Sequence, residues 1–121
     1  AIALDSDQPE AMIIPDTYHM FLARTGPNAL GRLRGDFIAI FQFADAGKEV
    51  EPILHKGVDS QRVLPGDGKI DLKGYLTNLK KTGFDGCISL ELYNPEYRKR
   101  EPVAFLEEAL RKTVKVVSSA G

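Results

Sequence analysis

The sequence predicts an α/β fold made of parallel βα units. Three observations lead there. Short apolar runs, too brief for helices, occur at 11–15, 37–43 and 88–92. Stretches with helical spacing follow each of them, at 29–33, 72–82 and 102–117. Each apolar run gives way to polar side chains near its C-terminal end, at Asp16, Gln42 and Glu91. Strands and helices alternating in this order pair in parallel through right-handed crossovers. Three such units fall short of the eight of a closed barrel, and they are few for an open doubly wound sheet.

Residues 1–4 read as the end of a helix entered midway, so the chain is expected to be part of something longer. Asp5-Ser6-Asp7-Gln8-Pro9 breaks that helix. The run 11–15 is a buried strand that stops at Asp16-Thr17-Tyr18-His19. Thr25-Gly26-Pro27-Asn28 is a turn with proline near a helix start, and the helix 29–33 closes at Arg34-Gly35. Residues 37–43 are apolar on both faces except Gln42, as in parallel strands covered on both sides. Residues 44–69 have no periodicity, and a loop of that length is usually functional or mobile. Asp71 caps a helix whose stripe is Leu72, Tyr75, Leu76 and Leu79. Gly83 is its C′ residue. In the next strand Ile88, Leu90 and Leu92 alternate with Ser89 and Glu91. Glu91 is either a solvated acid on a half-exposed edge or a group aimed into a site, because a closed core would penalise it. The last helix carries an apolar stripe of Val103, Leu106, Leu110, Val114 and Val117, and the tail 118–121 is expected to fray.

Composition narrows the partners. The 121 residues suit one domain or part of one, and 43% apolar with 27% charged is ordinary for a globular protein. A net charge of −1 recommends neither nucleic acid nor an anionic membrane. Cys87 is the single cysteine, expected as a buried inert thiol, which fits a reducing, cytoplasmic compartment. No apolar run is long enough to span a bilayer, and no signal-peptide pattern is visible. His55 has no partner in sequence and is expected at the surface.

In parallel α/β folds the C-terminal strand ends share one rim, where sites are built. Asp16, Gln42 and Glu91 would converge there. Two carboxylates and an amide oxygen suit a hard divalent cation such as Mn²⁺ or Mg²⁺; the alternative is three unrelated polar residues at strand ends. His19, about a turn beyond Asp16, is either a donor to a substrate oxygen or an ordinary loop histidine. Arg62, beside the Pro65-Gly66-Asp67-Gly68 turn, is either an anion or hydroxyl contact or a solvated loop arginine.

Four motifs in order, Asp16-Thr17-Tyr18-His19, Gln42-Phe43-Ala44-Asp45, Arg62-x-x-Pro65-Gly66-Asp67-Gly68 and Glu91-Leu92-Tyr93-Asn94-Pro95, resemble the sugar isomerases and epimerases of the xylose-isomerase-like TIM-barrel superfamily. The similarity covers nearly the whole chain and corresponds to the C-terminal part, strands six to eight. The resemblance implies a single partial barrel domain over 1–121. It also implies a divalent metal (Mn²⁺, Mg²⁺, Co²⁺ or Zn²⁺) held from four strand ends. Asp16 and Glu91 match two ligands. Gln42 stands where the third is most often histidine, as glutamine does in the hydroxypyruvate isomerase branch. The fourth, a glutamate on strand five, would precede Ala1. His19 and Arg62 match residues that bind substrate oxygens, and Glu91 matches a residue that is both ligand and acid/base.

The implied activity is aldose–ketose isomerisation or epimerisation of a sugar or sugar phosphate, by proton transfer beside a carbonyl through an enediolate. Three rivals stand beside it. One is a dehydratase of a cyclic polyol or hydroxy-ketone in the same superfamily. Another is a non-catalytic remnant that binds sugar or a partner chain. The third, an apurinic endonuclease, is disfavoured by the near-neutral charge and by only two histidines, His19 and His55. A partial barrel exposes sheet edges and an apolar face, so association with a second copy or with a separate N-terminal portion is expected.

Overall fold

The computed structural model describes residues 2–54 and 56–121; Ala1 and His55 lie outside the described residues. Among the described residues there are five α-helices, α1 (Ile2–Asp5), α2 (Thr17–Leu22), α3 (Pro27–Leu30), α4 (Leu72–Lys81) and α5 (Pro102–Ser119), with four short strands, β1 (Phe41–Phe43), β2 (Asp45–Ala46), β3 (Arg62–Val63) and β4 (Ile88–Leu90).

The expected parallel pairing is present. β1 lies parallel to β4, with Gln42 opposite Ser89. On the other side of β1 the first apolar run joins in parallel through two bridges only, Ile13 to Ile38 and Asp16 to Gln42. The register moves by one residue between those bridges, so the second strand carries an extra residue near the bend at Ala39. Such a bulge re-aims the side chains beyond it. Pro15 has no N–H to give, but its carbonyl accepts from Gln42 N–H at 2.9 Å. These two features reduce an expected continuous strand to two bridges. The 37–43 strand is likewise shortened, because Gly35–Phe37 forms a 3₁₀ turn.

The second helix was expected at 29–33. Instead α2 starts at once after Asp16, whose carboxylate accepts from Tyr18 N–H (2.7 Å) and His19 N–H (3.3 Å). α3 is only four residues long with Pro27 in its first turn. α4 forms as expected: Asp71 accepts from Gly74 N–H at 2.9 Å, Leu72, Tyr75, Leu76 and Leu79 are buried, and Gly83 has φ +77°.

The aperiodic stretch 44–69 is ordered by one side chain. β2 and β3 pair antiparallel, Asp45 opposite Val63 and Ala46 opposite Arg62. Asp45 is 2% exposed. Its Oδ1 accepts from Ala46 and Ile70 N–H, both at 2.9 Å, and its Oδ2 from Gly66 and Gly68 N–H, both at 3.0 Å. Asp67 N–H closes on Leu64 O at 3.0 Å, with Pro65 next and Gly66 at φ +89°, a type II turn. A Cβ on Gly68 would collide with the Ala46 carbonyl and with Asp45.

The core gathers Tyr18, Leu30, Phe41, Phe43, Tyr75 and Leu79 among others. The apolar stripe of α5 faces away from the core, and the burial expected of Cys87 fails. α5 buries Ala109 and packs Val116, Val117 and Ala120 against the core, while Val103, Leu106, Leu110 and Val114 are 52–66% exposed. The stripe therefore exists but sits about a third of a turn round the helix from the face that docks. Val117 lies between the two. Cys87 is exposed, not buried, because it precedes β4 at the outer edge of the sheet.

Candidate active site

Asp16 and Glu91 sit where strands give out, Gln42 lies within β1, His19 lies on α2 and Arg62 opens β3. Asp16 ends the bridged segment and caps α2. Thr17 pins that corner: its hydroxyl donates to Ala44 O at 2.7 Å and accepts from Ala44 N–H at 3.0 Å. This holds Asp16 beside Gln42. Glu91 follows β4 and extends its pairing, donating its N–H to Phe43 O at 3.2 Å. Gln42 Nε2 donates to Glu91 Oε1 at 2.9 Å.

Arg62 connects the rest. It is 1% exposed and is the largest fully buried side chain among the described residues. Its guanidinium lies 4.7 Å from the centre of the Tyr18 ring. Nη1 donates to Asp16 Oδ1 at 3.1 Å and lies 2.9 Å from Oδ2. Nη2 is 3.1 Å from His19 Nε2 and 3.4 Å from Glu91 Oε2. Because arginine only donates, His19 Nε2 accepts, which leaves Nδ1 as the donor of the half-exposed imidazole.

All five residues singled out from sequence are thus drawn into one cluster at the C-terminal strand ends. Asp59 joins them and was not expected there. Its Oδ1 accepts from Arg62 Nε at 3.2 Å and Nη2 at 3.0 Å. The Asp-x-x-Arg spacing across the 3₁₀ turn Asp59–Gln61 is the signal that could have found it. Arg62 and Asp16 are buried in the cluster, while Glu91 is partly exposed and His19 about half exposed. A cleft of about 510 Å³ lies on another face, lined by Asp7, Arg32, Arg34 and Phe37 among others, and none of the five lines it.

Two observations describe the electrostatics. Asp16 Oδ2 is buried and accepts no hydrogen bond; the Arg62 contact is close but off the N–H axis. Glu91 has its carboxyl pushed above the ordinary value, first by burial; Arg62 opposes that rise, and the Asp16 and Asp59 carboxylates add to it. A proton on Glu91 relieves its repulsion from the Asp16 and Asp59 carboxylates. The folded chain holds that proton more tightly than the unfolded chain. The corresponding stability is therefore fully present below the ordinary glutamate value and is lost as pH rises through Glu91's own raised value. In metal-free protein, a carboxyl ¹³C titration is expected to place Glu91 above 4.5, and Arg62→Met to move it higher still. An unshifted midpoint in both proteins would contradict this electrostatic account.

Among the described residues no group of three or more His, Cys, Asp or Glu is gathered to hold a metal ion. The oxygen donors available are two carboxylates, Asp16 and Glu91, with the Gln42 amide.

Residues 2–112 match the family model for the xylose isomerase-like TIM barrel. The chain belongs to that family. Its parallel βα units are part of that family's barrel. The chain is 35% identical over 106 residues to the inosose isomerase of Bacillus subtilis (strain 168), covering 88% of this chain and 37% of that protein. It is 34% identical over 97 residues to the 3-dehydroshikimate dehydratase of Pseudomonas putida, covering 77% of this chain and 14% of that protein. A 1.8 Å crystal structure of the IOLI protein with a bound zinc atom superposes with a TM-score of 0.89 at 29% identity, covering 99% of this chain and 42% of that one. The chain therefore spans well under half the length of each of these family members. No helix among the described residues is long and apolar enough to cross a membrane.

Proposed function

We propose that this chain is the C-terminal part of a metal-dependent isomerase or epimerase acting on a sugar or sugar phosphate, by proton transfer beside a carbonyl through an enediolate. The observation that carries the reading is the convergence of Asp16, Gln42 and Glu91, with a buried Asp16 Oδ2 that accepts no hydrogen bond beside a Glu91 carboxyl raised first by burial. Arg62 supplies one positive charge to these two carboxylates, and Asp16 Oδ2 is left to accept a further cation. Gln42 fits the same need. The two ends of its amide have the same shape, and turning it over offers Oε1 in place of Nε2. That arrangement is favourable only when a cation offsets the approach of its oxygen to Glu91. Asp16, Gln42 and Glu91 would then hold Mn²⁺, Mg²⁺, Co²⁺ or Zn²⁺. Such an ion would polarise a substrate carbonyl and stabilise charge developing on its oxygen. The zinc atom bound in the IOLI protein supports a divalent metal.

The remaining roles follow from position. Glu91 takes and returns the proton, and its raised value moves it toward the range where a general base works. His19 offers Nδ1–H to a substrate oxygen. Arg62 fixes Asp16, His19 and Glu91 relative to one another and lends positive charge to the same oxygens. On this reading a fourth ligand, a glutamate, comes from outside these three βα units. The exposed α5 stripe and the open edge of β4 are where the rest of a barrel, or a second copy, would pack. A cytoplasmic location belongs to the same proposal. Identity to the 3-dehydroshikimate dehydratase supports a second reading, dehydration of a polyol or hydroxy-ketone. Product mass separates the two, since isomerisation conserves it.

The test is elemental analysis of the purified chain beside Glu91→Gln, with molar mass in solution and turnover of a panel of ketoses and keto-polyols. Stoichiometric divalent metal that falls in the variant, with activity down at least about a hundredfold, is expected. Metal and turnover both retained in Glu91→Gln would sink the assignment.

A further inference from the structure

We propose that Asp59 determines substrate charge: its carboxylate fills the Nε–Nη2 edge of Arg62 from within the protein, so the site takes uncharged hydroxyl-bearing substrates and rejects phosphate esters. A guanidinium binds an anion bidentately along an edge that presents two N–H groups. Both such edges of Arg62 already face carboxylates. Asp59 Oδ1 receives Nε (3.2 Å) and Nη2 (3.0 Å), while Asp16 and Glu91 lie on the Nη1–Nη2 side at 2.9 and 3.4 Å. Three carboxylates around one guanidinium leave an arriving phosphate to face net negative charge. Asp59 is also held in place. Tyr18 hydroxyl donates to Val58 O at 2.8 Å, and Val58 N–H donates to Gln61 Oε1 at 3.2 Å, so the turn that carries Asp59 is fixed at both ends. The Asp59 side chain is 52% exposed, whereas Arg62 is 1% exposed. Removing the carboxylate therefore opens the guanidinium edge to solvent without emptying a core.

This refinement rests on the isomerase reading for its biological sense, but its test needs neither metal nor turnover. Inorganic phosphate is titrated into metal-free chain and followed at the Arg62 Nε–H resonance. Asp59→Ser and the isosteric Asp59→Asn are expected to bind phosphate at least about tenfold more tightly than the unaltered chain. Asp59→Ser combined with Arg62→Met, titrated by calorimetry beside the single variant, should lose that gain. Unaltered chain binding phosphate at Arg62 as tightly as the variants, or no gain in either variant, would overturn the proposal. Loss of the isomerase reading would register separately, as failure to take up metal. Where turnover is measurable, Asp59→Ser should shift the kcat/KM ratio toward phosphorylated ketoses; an unmoved ratio counts against the proposal.

Discussion

Replacing Asp45 with alanine is expected to leave the chain largely unfolded at room temperature. One carboxylate accepts four backbone N–H groups, two on each oxygen, at 2.9–3.0 Å. It does so at 2% exposure, where water cannot replace it. An unsatisfied buried donor costs roughly 1–3 kcal/mol, so the variant should lose about 4–6 kcal/mol. That is a large share of the roughly 5–15 kcal/mol that separates a folded domain from its unfolded state. The Asp45→Asn variant keeps one acceptor oxygen but turns an NH₂ toward two donors, so it should fall only part of the way. Urea denaturation followed by far-UV circular dichroism measures both. A loss below about 1 kcal/mol in Asp45→Ala would mean that the 64–70 turn holds itself together without the carboxylate.

The second large effect is at Asp16. Removing it strands the Arg62 guanidinium, 1% exposed, without its shortest ionic partner. Breaking a buried pair on one side costs about 3–5 kcal/mol, because the remaining charge stays desolvated. Loss of the α2 cap adds about 1 kcal/mol. The informative comparison is the double variant Asp16→Ala/Arg62→Met, in which both charges are gone. It should be more stable than the sum of the two single losses predicts, by about 2 kcal/mol or more. Simple additivity would show that Arg62 is supported mainly by Asp59 and the Tyr18 ring. In the proposed function both variants also lose divalent metal, which elemental analysis reads independently of stability.

Much of this molecule can be read from its residues, and the unreadable parts share a cause. α4 was legible because its signals are local: Asp71, a four-residue stripe and Gly83 lie within one short stretch. The cluster of Asp16, Gln42, Glu91, His19 and Arg62 was legible because parallel strands bring their C-terminal ends together whatever the loops do. Asp45 was not, since its partners Gly66, Gly68 and Ile70 are more than twenty residues away and nothing local marks the pairing. The burial of Arg62 was not legible either, since Asp16 and Glu91, two of its three carboxylates, lie far from it in sequence. On α5 the spacing of Val103, Leu106, Leu110 and Val114 revealed a stripe, but periodicity cannot tell which neighbour a stripe will meet. α2 was missed because six residues hold too few turns to show a period, although its Asp16 cap was in plain view.

The segment after Glu91 reaches back across the chain. Asn94 donates to Arg62 O at 3.2 Å, and Tyr97 hydroxyl accepts from Leu64 N–H at 3.1 Å. Those two side chains bond alternate backbone groups of the strand that bears Arg62, as a neighbouring strand would. The acid and the cation therefore belong to one rigid body, with their spacing set before any ligand arrives. The conformational entropy of arranging them is lost during folding and is not charged again at each encounter, so a weakly contacting molecule can still be captured.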